Sequence, residues 1–450
     1  MKFKKYFYLF LFAILSVCSS KSEAQLLNFI PFHDTTGSCD WNPADSNQVT
    51  VALKGSDGYF DVYLINTDGS NKHCVTCNTS GLPGKHQGSP SFHHSGQYLA
   101  ITVEKPTHPG TSSEALPGIG SYSDIWIVKS DGSKAWKLTN TPNDSTGGAM
   151  YCFFSPDGSK LMWTERTAAA YWDIFNWKQF AGYWVIKVAD FHADTSGVSI
   201  SNIKTYGDSL PGFYECYGWS PDGSRIIFSS DYNQVSFFDN QVFTMNATTG
   251  KDWKQMTHLD YNEQAFYTHD GNSIVWMTNK NNTNGGCDWW MMNADSTNKH
   301  RITFFSDSTS SQYYGHAVYL GLGHYSPNGK HMITEIEQSL TTLITDAYLV
   351  DWNFPQDIPQ LYFHSLGSMQ AYPNPFSDHL YIKINSKAKD QIKIYLTDVC
   401  GRIIAANQCL VNEGENNISF DLSSYDIVAG TYIITTEGTG LKESQIFVKP

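Results

Sequence analysis

Short runs that alternate apolar and polar residues, each closed by a tight turn, recur from about residue 38 to residue 352. Alternation over four to six residues puts one face of an extended strand on a core and the other in water. Phe154-Ser-Pro-Asp-Gly158 leads into Lys160-Leu-Met-Trp-Thr164, and Trp219-Ser-Pro-Asp-Gly223 into Arg225-Ile-Ile-Phe-Ser229. Weaker copies are Phe92–Gly96, Tyr267–Gly271 and Tyr325–Gly329, with Trp41–Asp45 the most degraded. Pro presets the first corner of such a turn, and Gly accepts the positive φ that follows. A second hairpin alternates with the first. Asp61-Val-Tyr-Leu-Ile-Asn66 runs to Val75-Thr76, Asp124–Val128 to Leu138-Thr139, Gln241–Met245 to Met256-Thr257, and Trp289–Met292 to Ile302-Thr303.

Each unit is thus four short strands, repeating every roughly 50–65 residues, six times in all. That period predicts an all-β, six-bladed β-propeller over residues 25–353. The Ser-Pro-Asp-Gly turns resemble those of the TolB-like family of propellers, a WD40-like repeat architecture. The resemblance implies the fold but not one activity, since the family serves binding proteins, peptidase subunits and lyases.

A propeller fixes which loops share a face. The turns within each hairpin are short here, while the connections between hairpins are long: Glu104–Tyr122, Glu165–Gly182, Asp231–Asn240 and Asn279–Gly286. Long loops on a rigid scaffold are where ligands bind, so this loop face is the expected binding face. Glu215 and Glu263 each stand eight residues before a repeat Gly, which puts both at the start of inner strands, near the mouth of the axial channel. His86, Tyr151 and His316 fall near comparable positions. Carboxylates with nearby His suit a ligand, acid–base chemistry or a divalent cation such as Ca or Mn; equally, they suit a hydrated channel mouth with no further role. Glu104, Asp231, Asn279 and Glu337 lie eight residues after a repeat Gly, a regularity that points to capping of backbone donors or closing a turn, with metal binding the sharper alternative. The segment Tyr171–Lys178, with Trp172 and Trp177, is rich in aromatics that either stack on a ligand or anchor the loop.

Hydrophobic residues make up 41% and aromatics 14% of the 450 residues, enough for a packed core. A net charge of −13 makes nucleic acid a poor partner. Gly-x-Ser-x-Gly, His-Glu-x-x-His and phosphate-loop signatures are absent from the sequence.

The first 24 residues have the basic start, short apolar run and Ser22-Glu23-Ala24 site of a signal peptide; a lipoprotein signal at Cys18 is the rival reading. No apolar run is long enough to span a bilayer. Cys18 aside, eight of the nine cysteines remain in the mature chain. Cys74 and Cys77 suit a local disulfide or two free thiols, and Cys400 and Cys409 share a predicted hairpin where they could pair. Residues 354–368 read as a linker. Residues 369–450 alternate again, as a small Ig-like β-sandwich. They open on Tyr372-Pro373-Asn374-Pro375-Phe376 and pass Gly401, Gly430 and Tyr432. This tail resembles the C-terminal sorting domain of type IX secretion cargo from Bacteroidetes-type bacteria. The resemblance implies handling by that machinery and a secreted or surface-attached protein. Two functions then compete: a propeller that binds a glycan, peptide or protein, or a polysaccharide-degrading enzyme using His, Glu and a divalent cation at the channel mouth.

Overall fold

In a computed structural model of the chain, two compact units are present, Met1–Asn353 and Phe354–Pro450. The structure describes residues 27–110, 113–171, 179–194, 197–207, 211–339 and 344–352. In the second unit it describes 369–449, apart from 374, 387–388, 399–402, 426, 429 and 439–440. The signal segment, the linker, Trp172, Trp177, Asn374, Cys400 and Gly401 lie outside the described residues.

The first unit is a six-bladed propeller. Four blades are separate antiparallel sheets of four strands each, with inner strands Gln87–Phe92, Ala149–Phe154, Tyr214–Trp219 and Asn262–Tyr267. The remaining two are joined by the strand Asn28–Trp41. Its first part pairs with Ile344–Asp351 as the outer strand of the last blade, and its second part pairs with Gln48–Lys54 as the inner strand of the first. This closes the ring and leaves no open edge between first and last blades.

Two repeated devices explain the sequence repeat. In the turn Ser155–Gly158, the Ser155 hydroxyl donates to Asp157 Oδ1 (2.6 Å) and accepts from Lys160 N (2.9 Å), while Gly158 takes φ 70°. Ser220, Asp222, Arg225 and Gly223 repeat this, as do Thr268, Asp270, Ser273 and Gly271. In the second hairpin, the hydroxyls of Thr76, Thr139, Thr257 and Thr303 accept the N–H of Val62, Ile125, Val242 and Trp289 at 2.8–2.9 Å. Asp61, Asp124 and Asp288 in turn accept from three of those hydroxyls.

The C-terminal unit packs a three-stranded sheet with a four-stranded one. Along His379–Ser386 every second residue, Leu380, Ile382 and Ile384, enters a shared core with Phe376, Phe420, Tyr432 and Phe447. Tyr372 is 48% exposed, and Pro373 and Pro375 are exposed beside it. The Tyr432 hydroxyl donates to Val428 O (2.7 Å), and Gly430 opens the strand that carries Tyr432.

Candidate functional site

All six inner strands are irregular at one level. The pairing slips between Thr36 and Cys39, Gly88 and Ser91, Met150 and Cys152, Cys216 and Gly218, and Glu263 and Phe266. In the sixth blade Gly321–Gly323 separates two short inner pieces. Ser89, Tyr151 and Gln264, on three different blades, take the same positive φ of 45–50°. Such bulges turn side chains out of strand alternation.

Toward the hairpin turns the channel widens into a cavity of about 290 Å³, to which every blade contributes. The residue just before each repeat aromatic forms a ring: Asp40, Ser91, Phe153, Gly218, Phe266 and His324. The repeat aromatics Trp41, Phe92, Phe154, Trp219, Tyr267 and Tyr325 complete the wall. Asp40 Oδ1 lies 3.0 Å from His324 Nδ1 and accepts from Trp41 N (2.8 Å); its Oδ2 accepts from Phe92 N (2.7 Å). Burial opposes charge on His324, but Asp40, with Glu335 beyond it, outweighs burial and raises its pKa. Phe153 stacks on the His324 ring.

Toward the long loops the channel holds acids. Glu215 and Glu263 do lie at the starts of their strands, but only 4% and 6% exposed, not at a hydrated mouth. Burial first, then the charge of Glu263, drives the Glu215 carboxyl well above its usual range; Tyr217 Oη donates to Glu215 Oε2 (2.7 Å). Burial pushes Glu263 to about 7 although Asn240 Nδ2 donates to it at 2.6 Å. Burial likewise lifts Glu335 and Glu337 to about 7. These two were not singled out as channel acids by the spacing, since they sit six and eight residues after a repeat Gly instead of before one. The half-buried Tyr151 ring lies within this acid field, its hydroxyl 3.5 Å from Gln264 Nε2.

Loops cover this end. Gly118 N donates to Ser89 Oγ (3.0 Å), and Pro117 sits so close to Gly88 that a Cβ there would lie 2.3 Å from its ring. The loop around Pro117 thus packs onto the first two blades at this end, and the cavity is lined at the opposite, turn-bearing end by Pro43, His94, Ser155 and Pro156. The signal that would have found it was the aromatic that begins each repeat, which the hairpin reading treats as framework.

The other candidates disperse. His86 is 3% exposed and framework-bound: Phe60 N donates to its Nδ1 (3.3 Å), its own N donates to Glu104 Oε2 (3.2 Å), and burial lowers its pKa. His316 is exposed, 3.2 Å from Gln338 Oε1. Tyr171 is 54% exposed. The capping set behaves as its regularity implies: Glu104, Asp231 and Asn279 accept the N–H of His86, Phe213 and Tyr261, each ten residues before a repeat Gly. Glu337 differs; its Oε1 is buried with no hydrogen-bond partner.

A divalent cation does not fit the predicted residues. Among the described residues the one group of three His, Cys, Asp or Glu ligand atoms within 4.8 Å of one another is Asp61, Cys74 and Cys77, and it includes neither the His nor the Glu of the channel. Cys74 and Cys77 are joined as a disulfide, and Asp61 is the framework acid of its hairpin. Cys409 is a free thiol.

Fold and tail together define an all-β protein, a six-bladed propeller followed by a small β-sandwich sorting domain. Residues 370–449 match the family described as the secretion system C-terminal sorting domain, the type IX tail that directs its carrier to the cell surface or the medium. The chain is similar to TolB from Acinetobacter baumannii at 15% identity, over 72% of this chain and 66% of that one, with a TM-score of 0.40. It is similar to a putative TolB from Agrobacterium tumefaciens at 16% identity, over 80% and 95%, with a TM-score of 0.38. An oligogalacturonate lyase in complex with manganese aligns at 12% identity, over 72% and 96%, with a TM-score of 0.40. No curated protein matches the chain. No helix among the described residues is long and apolar enough to cross a membrane.

Proposed function

We propose that the protein is a secreted or surface-held binding propeller that takes a segment of a glycan, peptide or protein into its axial cavity. In this reading residues 1–24 are a cleaved signal peptide, 25–353 the binding domain, 354–368 a linker and 369–450 the part read by the type IX machinery. The observation that carries it is the cavity itself: all six blades supply it, and nearly half of its lining residues are aromatic. Large rigid rings give contact area at small entropic cost, which suits recognition. The polysaccharide-degrading alternative needs His and Glu tips to converge, and the placement of His86, His316 and the buried glutamates does not favour it.

The test is an array of glycans and peptides presented to the full-length chain, with and without added divalent metal, together with an assay for cleaved product. Binding that is lost in Trp219→Ala and yields no product supports the proposal. Product formation, or binding indifferent to Trp219→Ala, overturns it.

A further inference from the structure

We propose, building on the reading of the cavity as the ligand site, that it recognises an organic ammonium group, as borne by a lysine side chain or a quaternary amine. At about 290 Å³ the cavity suits a side-chain-sized group borne by a larger ligand. Nine of its twenty lining residues are Phe, Tyr or Trp, and none is Lys or Arg. Aromatic faces carry negative potential and attract a cation lying over them. The carboxylate of Asp40 is already filled by two backbone N–H groups and His324.

The charge behind the wall has the matching sign. Tyr217 lines the cavity and donates to Glu215 on its other side, 2.7 Å away. Cys39, next to Asp40 in the chain, donates its N–H to Glu335 at 3.1 Å. Glu263 and Glu337 complete the set, and the titratable groups facing these acids include Tyr151, Tyr217, Tyr261, Tyr319, Cys39, Cys216, Cys287, Asp40 and His324. Burial keeps the acids partly protonated near neutral pH, so a cation entering the cavity favours their ionised forms and expels protons. The Asp40–His324 pair also lines the cavity.

The experiment uses calorimetry on the full-length chain with two cations and their neutral isosteres: choline against dimethylbutanol, and Nα-acetyl-lysine amide against Nα-acetyl-norleucine amide. At least one cation should bind about tenfold or more tightly than its isostere. Its binding should release protons, seen as a heat that changes with the ionisation enthalpy of the buffer. Trp219→Ala should remove the preference, and Trp219→Phe, which keeps an aromatic face, should retain most of it. Choline alone binding identifies a free quaternary amine as the source, and the lysine amide alone identifies a protein or peptide. Equal affinity for cation and isostere overturns the ammonium assignment. So does the absence of cation binding when an array ligand still binds in a Trp219-dependent way, an outcome that leaves the cavity as the ligand site. If no ligand of any kind depends on Trp219, both readings fall.

Discussion

Glu263 and Glu335 carry their protons to unusually high pH because each carboxyl is buried, and burial penalises the ionised form more than their hydrogen bonds favour it. The sign of the consequence follows from linkage. Each carboxyl has an ordinary pKa of 4.5 and a folded one of about 7. Between those values the folded chain holds a proton that the unfolded chain has released. The contribution to stability is therefore fully present below the ordinary value and is lost as the pH rises through about 7. Glu263→Gln puts a neutral group of the same shape in place of the carboxyl and keeps an oxygen for Asn240 Nδ2. Near pH 5 the variant should melt close to the parent; near pH 8 it should be more stable, by on the order of 1–3 kcal/mol. Thermal melts at the two pH values check this, and equal melting at the higher pH would mean that the carboxyl ionises at little cost. The same reasoning corrects the expectation of a hydrated site. Residue spacing placed Glu215 and Glu263 at the strand starts, but spacing carries no record of the loops that fold over them.

Strands and turns were legible because their chemistry is local. A hydroxyl two residues before an acid, Gly at a positive φ, and a Thr that accepts a neighbouring strand's N–H each leave a mark at fixed offsets. The caps left such a mark too. Asp231 is fully buried, and its Oδ1 accepts Phe213 N at 2.9 Å. Asp231→Ala should strand that buried donor and cost about 1–3 kcal/mol, whereas Asp231→Asn keeps an acceptor and should cost less than half as much. Chemical denaturation of both variants decides the point, and equal losses would mean that charge, not the cap, is what matters. The cavity was less legible because it arises between blades. Phe153, Phe266 and His324 belong to different repeats, and the ring forms only when six inner strands meet. The inward fold of the loop around Pro117 was hidden for the same reason: its partners, Gly37 and Gly88, are on blades one and two.

At the scale of the whole molecule, the propeller and the sorting tail are two units, the first of which carries the proposed binding role. The C-terminal unit has its own core, built on Phe376, Leu380, Ile394, Tyr432 and Phe447, and the propeller closes on itself through Asn28–Trp41 and Ile344–Asp351. Ring closure already pairs the strands that would otherwise be open edges within the first unit. Deleting residues 369–450 should then leave the propeller's melting temperature unchanged while the protein accumulates in the periplasm of a host that has the type IX machinery. Cell fractionation and immunoblotting measure the second effect, and a melt of the truncated protein the first. A truncated chain that still reached the surface or the medium at the normal level would remove the tail's sorting role in this protein. A truncated chain that stayed inside but melted well below the parent would instead make the tail part of the fold. Retention with an unchanged melt is the one combination that separates an address from a structural support.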